Sequence, residues 1–571
     1  MAAALDFDDI LTEIGEFGRY QRRNYLLICL PVLFAAANSL SYVFTAGTPK
    51  YRCYIAECDA DISPEYQTDW LEHAMPGTWD KHHQFTPATC DRYMANDSSY
   101  DQAGQCSSSQ FLPQTERCNQ FVYDGQEQTI VQDWQLTCKE NAWKLALVGT
   151  IHFAGLVVGT ALFGYLADRF GRKLVFLFCI IFMAVTGVAQ GLAWDYPSFL
   201  VFALLNAVGT SGVYPLAFII GVEMVGIRKR EMSSIVLNYF YAIGEALLGL
   251  AAWLLHDWQL IQYALSIPPL CFFVYFWLVP ESVRWLLARN EHEKAGVIIK
   301  RAAHVNRREL SLELLANFKQ QQLDAQNNKP QQKSHEERKI WLAVKQVFAS
   351  RTLVIRYIIM LYIWAVNAIV YYGLSLNSTS LSGNKYLNFA LVCLIEIPGY
   401  SLAWLCLRKL GRRLSLSGSL LLCAITCVTS GYITLVQSDK ATRNNWLVIT
   451  LFLIGKLGIT SSFAVIYTYT AEMMPTVIRS GGVGIMSTFA RCGAMLAPFV
   501  PLLGGYYESL PLLLFGASSL TAGLLSLLLP ETFNKKLPDT VADAIALGSK
   551  RIARTSSSSR CSHSPQKESN I

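Results

Sequence analysis

"GYLADRFGRK", residues 164–173, sets four charges, Asp168, Arg169, Arg172 and Lys173, between two apolar runs at 144–166 and 174–193. Each run is near the ~20 residues that cross a bilayer as a helix. The decapeptide therefore reads as a tight turn at a membrane surface. Gly164 and Gly171 permit the turn and a close helix approach, Asp168 suits a helix N-terminus or an Arg, and Arg172 and Lys173 hold the loop at the headgroups.

Outward from this loop, the composition agrees: 52% of the 571 residues are hydrophobic and 16% charged, against about 25% charged in soluble domains. Twelve apolar runs appear, at 25–45, 144–166, 174–193, 198–220, 233–255, 259–279, 353–373, 387–406, 414–436, 446–468, 481–503 and 508–529. They are too long for barrel strands, and lipid offers backbone groups no partner, so they are predicted as helices of an all-α membrane protein. The first twenty residues are rich in Asp and Glu and the first run is too long for a signal peptide core, so it is expected to be kept as the first span.

Orientation follows from Lys and Arg. Loops 167–173, 222–232, 407–413 and 469–480 hold Arg169, Arg172, Lys173, Arg228, Lys229, Arg230, Arg408, Lys409, Arg412, Arg413 and Arg479, whereas the short alternate loops hold Lys385, Lys440 and Arg443. The first set is expected on the cytoplasmic side with both termini. The stretch 47–143 is then extracellular. It carries Cys53, Cys58, Cys90, Cys106, Cys118 and Cys138, an even set that suggests a disulfide-stapled subdomain with about 15 possible pairings. Asn96 and Asn377 head external Asn-x-Ser/Thr sequons and are glycosylation candidates. The layout expected is a cytoplasmic N-terminus 1–24, a six-helix bundle 25–279, a cytoplasmic linker 280–352, a second bundle 353–529 and a disordered cytoplasmic tail 530–571. The linker's polar run "QQQLDAQNNKPQQKSHEERK" reads as part helix, part flexible.

The halves repeat. A shift of 240 residues lays Gly171, Arg172 and Lys173 on Gly411, Arg412 and Arg413; shifts near 250 lay Glu223-Met224 on Glu472-Met473 and Pro280-Glu281-Ser282 on Pro530-Glu531-Thr532. Such a repeat is a signature of transporter folds. At these residues the chain resembles the major facilitator superfamily: "GYLADRFGRK" is similar to its loop between helices 2 and 3. "PESVRW", "YYGLSLN", "EIPGY", "YTAEMMPTVIRS", "LPETFNKKLPDT" and the N-terminal "LTEIGEFGRYQRR" resemble its organic cation, anion and carnitine transporter family, nearest the carnitine and zwitterion branch. The resemblance implies two six-helix bundles that rock about a central site in the plasma membrane. It also implies a cytoplasmic gate. Glu223 with Arg228 and Arg230, and Glu472 with Arg412, Arg413 and Arg479, are expected to form matching networks beside Gly164, Asp168, Arg169, Gly171, Arg172 and Lys173.

Ionisable groups inside spans are expensive in lipid and so mark candidate sites, at about 2.5–3.5 kcal/mol each on insertion scales. They are His152, Glu245, Glu396, Lys456 and Arg491. A guanidinium suits a carboxylate through two parallel hydrogen bonds, and by resemblance Arg491 stands where anion and carnitine carriers keep Arg and cation carriers an acid. Lys456 and Glu396 match family positions. Glu245 departs from the carnitine carriers, and a substrate amine, a proton, Na⁺ or simply a neighbouring polar helix are all open to it. His152 reads as a structural histidine. Trp364, Asn367 and Tyr371 share a helix face, and with Tyr214, Tyr239 and Tyr241 they could cage an ammonium.

Gly221-x4-Gly226 lacks the Lys-Ser/Thr of a phosphate loop, so no nucleotide is expected, nor a nucleic acid partner, metal or enzyme chemistry. The expectation is a secondary carrier of a small organic zwitterion such as carnitine, betaine or β-alanine, with no cofactor beyond Na⁺ or H⁺ as coupling ion. Organic cation and organic anion carriers, and a non-transporting receptor built on the Cys-rich loop, are the alternatives.

Overall fold

A computed structural model describes residues 7–59, 64–79, 85–96, 106–226, 229–289, 291–309, 333–436, 445–535 and 537–547. Among the described residues, eleven helices are long and apolar enough to cross a membrane: α1 Arg19–Thr45, α2 Cys138–Phe170, α3 Arg172–Gly191, α4 Tyr196–Met224, α5 Arg230–Leu255, α6 Trp258–Leu278, α7 Arg351–Ser380, α8 Lys385–Lys409, α9 Arg412–Val436, α10 Asn445–Met473 and α11 Thr476–Gly505. The twelfth, α12 Leu510–Ser526, has 17 residues, about 25 Å at 1.5 Å per residue.

Proline explains where these helices break. In α6, Pro268 and Pro269 turn the chain to a tighter 3-10 coil over Pro268–Val274. In α11, Pro498 and Pro501 do the same at Ala497–Phe499 and Pro501–Gly505. In α8 the helix ends at Leu394 and restarts at Glu396, because Pro398 has no N–H for the Leu394 carbonyl and its ring crowds it. The break puts Glu396, itself fully buried, in the first turn of the second half-helix.

Packing repeats six helices on. α1 pairs with α5 as α7 does with α11, α3 with α4 as α9 with α10, and α2 with α4 as α8 with α10. The halves join along α5–α8 and α2–α11, themselves symmetry mates. Most of the joining contacts lie toward the end that carries the disulfides. Phe44 stacks on Tyr386 at 5.5 Å and meets Phe389 edge-on at 5.0 Å, Phe153 meets Tyr372 at 4.7 Å, Thr150 Oγ1 donates to the Met495 carbonyl at 2.9 Å, and Glu127 binds Lys385. Toward the basic end, the described residues join the halves along α5–α8 through Tyr239 to Ser401 at 2.6 Å and an exposed Arg408–Glu231 pair at 3.1 Å. This conformation is sealed at the disulfide end and parted at the other.

The loop between α1 and α2 is a small subdomain of three two-stranded ladders, with disulfides Cys53–Cys118, Cys58–Cys106 and Cys90–Cys138. Its apolar core is a handful of residues around Ile55, Leu71, Met75 and Phe85, too few to hold a fold alone. Arg52 is fully buried in it, bidentate to Asp59 at 2.6 and 2.8 Å and bonded to the Tyr66 carbonyl. Arg52→Ala leaves Asp59 as an unpaired buried charge, an expected loss of about 3–5 kcal/mol; limited proteolysis of the purified protein in detergent should then cut this loop faster than in the unaltered protein. Asn96 begins a sequon whose other two residues lie outside the described residues. Asn377 is buried and accepts a hydrogen bond from Ser380 at 2.9 Å, so the expectation of a glycan there is corrected: an oligosaccharyl group cannot reach an amide held inside the helix end.

At the basic end, helix Phe7–Ile14 packs Ile10, Leu11 and Ile14 on Ile299, Ala302 and Ala303 of linker helix His292–Asn306. The middle of the linker, with most of the polar run, lies outside the described residues. The tail expectation needs correction from 530 to 547. Helix Val541–Ala546 buries Val541 and Ala544 against Ala343, Val347 and Leu353, and Arg356 of α7 donates to the Ala544 and Leu547 carbonyls at 2.9 and 2.8 Å. Two aliphatic residues in a polar stretch were enough to dock it.

Candidate functional site

The loop that opened the sequence reading is a three-part clasp, and the second half holds a copy. Gly171 and Gly411 have φ of +109° and +86°, a region L side chains avoid, and so turn the chain directly into α3 and α9. Glu281 then accepts the main-chain N–H groups of Arg172 and Lys173 at 3.0 and 3.1 Å, and Glu531 those of Arg412 and Arg413 at 2.9 and 3.0 Å. Carboxylates at helix N-termini take up orphan donors and meet the positive end of the dipole. Burial pushes the Glu281 carboxyl above its ordinary range. At Glu531 burial acts in the same direction, but the amides of Arg412, Phe533, Arg413 and Thr532 outweigh it and hold the carboxyl low.

The side chains complete each clasp unequally. In the second half Arg412 is bidentate to Glu472, at 2.8–3.0 Å, and Thr532 Oγ1 donates to the same carboxylate at 2.6 Å. In the first, Arg172 pairs with exposed Asp168 at 2.9 Å and stands 3.9 Å from Glu223, which Ser282 caps. Arg169 reaches Tyr165, Trp285 donates to the Asp168 carbonyl at 3.0 Å, Gly164 has open space around it, and Arg230 begins α5. Arg228 lies outside the described residues. Two expected members of the Glu472 network are corrected: Arg479 binds the Met474 and Pro538 carbonyls at 3.2–3.3 Å, and Arg413 contributes its main-chain N–H. Glu281 and Glu531 were visible in the sequence as repeat landmarks, but only the fold shows that they pin the loops.

At mid-depth lies a sealed charge cluster. Lys456 Nζ is 2.8 Å from Glu396 Oε1, both fully buried. It donates to Ser375 Oγ at 2.8 Å and the Tyr371 carbonyl at 3.2 Å, and sits 3.5 Å above the Tyr371 ring. Tyr371 closes the circuit with a 2.8 Å bond to Glu396 Oε2. Glu245, from the other half, is fully buried and its carboxylate approaches Glu396 and Cys393 without hydrogen-bond geometry. Nearby, Trp364 donates to Thr470 at 2.9 Å and Asn367 accepts from Ser462 at 2.7 Å. Lys456, Glu396, Trp364, Asn367 and Tyr371 were expected to touch substrate. That expectation is corrected for this conformation, because each is spent on a neighbouring helix. Helical spacing tells which residues share a face, not whether the face meets protein or water.

What does face the gap between the halves is a row of partly exposed groups. Tyr214 donates to Asn238 at 2.6 Å and packs edge-on to Tyr241 at 5.3 Å, and it stands close to Tyr372 and Tyr467 across the gap. Tyr467, 39% exposed, bonds Ser487 at 3.2 Å. Arg491 donates to Ser487 of its own helix, to Oγ at 2.9 Å and O at 3.2 Å, and its charge reaches the Tyr372 hydroxyl. No carboxylate among the described residues pairs with it. Tyr239 is turned away, toward α8. His152 lies in the seal against Tyr42 at 5.9 Å. Sequence reasoning missed Tyr372, which adjoins Tyr371, and Tyr467, which lies on α10 between Lys456 and Glu472.

Two pseudo-symmetric six-helix bundles, joined along two seams, define a helical membrane carrier. The sequence profile of the Major Facilitator Superfamily matches residues 129–498. Among curated proteins, the "Organic cation transporter protein" of Drosophila melanogaster is 34% identical over 96% of both chains, and the "Organic cation/carnitine transporter 2" of Rattus norvegicus 32% identical over 94% of this chain and 93% of its own. Among solved structures, the partially occluded inward open xylose transporter XylE from E. coli superposes with a TM-score of 0.58 at 14% identity, over 88% of this chain and 98% of that one. The chain belongs to the major facilitator superfamily and, within it, to the organic cation and carnitine transporter family. It is a multi-pass plasma-membrane transporter of small organic solutes and not an enzyme.

Proposed function

We propose that the chain carries small organic zwitterions, such as carnitine, betaine or β-alanine-like amino acids, through the gap between the bundles. One observation carries this reading: Arg491 borders the gap, its hydrogen bonds among the described residues run to its own helix, and aromatic faces stand opposite. Its guanidinium would take the substrate carboxylate; Tyr214, Tyr241, Tyr372 and Tyr467 would receive the ammonium, at about 0.5–2 kcal/mol per ring. The basic end would face the cytoplasm, with the disulfide subdomain outside, and the paired clasps would close the cytoplasmic side when the outer seal opens. The name of the first Drosophila melanogaster relative, an organic cation transporter protein, favours a second reading in which the aromatics alone select a cation.

Uptake of labelled carnitine, β-alanine, tetraethylammonium and p-aminohippurate into expressing cells separates these readings. Under the first, the zwitterions enter and Arg491→Ala lowers their uptake about tenfold or more, the worth of one charge-assisted contact, while leaving any tetraethylammonium uptake standing. Equal uptake of every carboxylate-bearing solute by Arg491→Ala and the unaltered chain would refute it. Selective tetraethylammonium uptake would establish the second.

A further inference from the structure

The charge cluster at mid-depth does not balance. It holds two acids, Glu245 and Glu396, and one base, Lys456, all fully buried. Lys456 donates hydrogen bonds to Ser375 Oγ and the Tyr371 carbonyl and lies 2.8 Å from Glu396 Oε1 as an ion pair. Its hydrogen bonds do not include Glu245. Both Glu245 oxygens are buried without a hydrogen bond. The groups that face it are Tyr42 on α1, Tyr241 on its own helix, Tyr371 and Tyr372 on α7, Glu396, Cys393 and Tyr400 on α8, and Lys456 on α10. Apart from Lys456 these are neutral or negative. A bare carboxylate sealed there beside a second one is not tenable.

The location gives the imbalance a use. Glu245 belongs to one bundle; Glu396, Tyr371 and Lys456 belong to the other, and α5–α8 is one of the two seams along which the bundles join. Any movement that parts this seam moves Glu245 away from its negative neighbour and toward water.

We propose that Glu245 is a proton-binding site that couples transport to the proton gradient: it holds a proton while the seam is closed and gives it up when the seam opens. In the step, the carboxyl O–H bond breaks, the proton passes to water on the side to which the seam opens, and the carboxylate that remains is solvated; on reclosure the carboxylate takes a proton from water of the gap, which then opens to the other side. A proton suits the site better than a metal cation, which needs a shell of several oxygens; no group of metal-ligating side chains forms among the described residues. The inference rests on the chain being a carrier but not on which solute it carries.

The test uses the full-length chain in cells or proteoliposomes, with whichever solute the uptake panel identifies. Uptake is compared with and without an imposed pH gradient at fixed membrane potential, and read as a ratio so that a change in absolute rate does not matter. The unaltered chain should respond several-fold to the pH gradient and not to a Na⁺ gradient. Glu245→Gln, neutral and of the same shape, should give a ratio near one while solute-for-solute exchange shows that it is folded. Glu245→Asp keeps an acid and should keep the response, with its pH midpoint displaced, so it decides the matter if the Gln form does not reach the membrane. A Na⁺-driven unaltered chain, one indifferent to pH, or a Gln form with the full response overturns the proposal. Absence of uptake of any solute by the unaltered chain would overturn the carrier reading, a different failure.

Discussion

Lys456→Met should be the most damaging single substitution inside the membrane. It removes the one cation of the sealed cluster and leaves the Glu396 carboxylate, still bonded by the Tyr371 hydroxyl, beside Glu245. Breaking a buried pair from one side costs about 3–5 kcal/mol, a large fraction of the 5–15 kcal/mol that typically separates folded from unfolded protein. Little of it should reach the cell surface, and what does should melt far earlier in detergent. Adding Glu396→Gln removes the stranded charge while keeping an acceptor for Tyr371. The double variant should therefore regain much of the lost surface expression, although Lys456→Met alone is the smaller change in sequence. If the double variant is no better than the single one, Lys456 matters for its packing or for contact with the solute, and the electrostatic account is wrong.

Arg412→Ala should have the second largest effect, and an unequal one. Arg412 makes three bonds to Glu472, side chains 21% and 17% exposed, so its loss strands a largely shielded carboxylate. About 2–3 kcal/mol is expected, below the value for full burial because solvent still reaches the pair. Arg172, at the same place in the first half, pairs with an Asp168 that is 74% exposed and only approaches Glu223; exposed pairs contribute about 0–1 kcal/mol. Thermal melting of the two alanine variants, side by side in one detergent, should show the larger drop for Arg412→Ala, and transport should fall further with it. Equal drops would mean that the anchoring by Glu281 and Glu531, which both variants keep, carries the stability of the clasps.

The two predictions differ in how far the sequence could have led to them. That Arg412 answers Arg172 was visible from the 240-residue repeat, because a tight loop between two spans needs glycine and headgroup-seeking cations wherever it occurs. That one copy is bidentate and the other nearly open was not, since it depends on a one-ångström difference in approach. Lys456, Glu396 and Glu245 stood out as charges in greasy runs, which is a property of composition alone. Their mutual arrangement was hidden, because the helices that carry them are far apart in sequence and rotation about a helix axis is set by packing. The same ignorance of rotation made Trp364, Asn367 and Tyr371 look like a cavity wall and passed over Tyr372 and Tyr467.

By itself the sequence determined the spans, the helical state of each, the repeat and the family, because lipid permits few structures and long apolar runs register directly in composition. The helix breaks at Pro268, Pro398 and Pro498 are seen only in the fold, since Pro31 and Pro215 also lack an N–H and yet lie within continuous helices. Only the tertiary structure decided which charges are spent on one another and which face the gap: Lys456 and Glu396 closed into a pair, Glu245 left over, Arg491 with only its own helix to hold. Those outcomes turn on the distances and directions between side chains on different helices, which no local property of the chain contains.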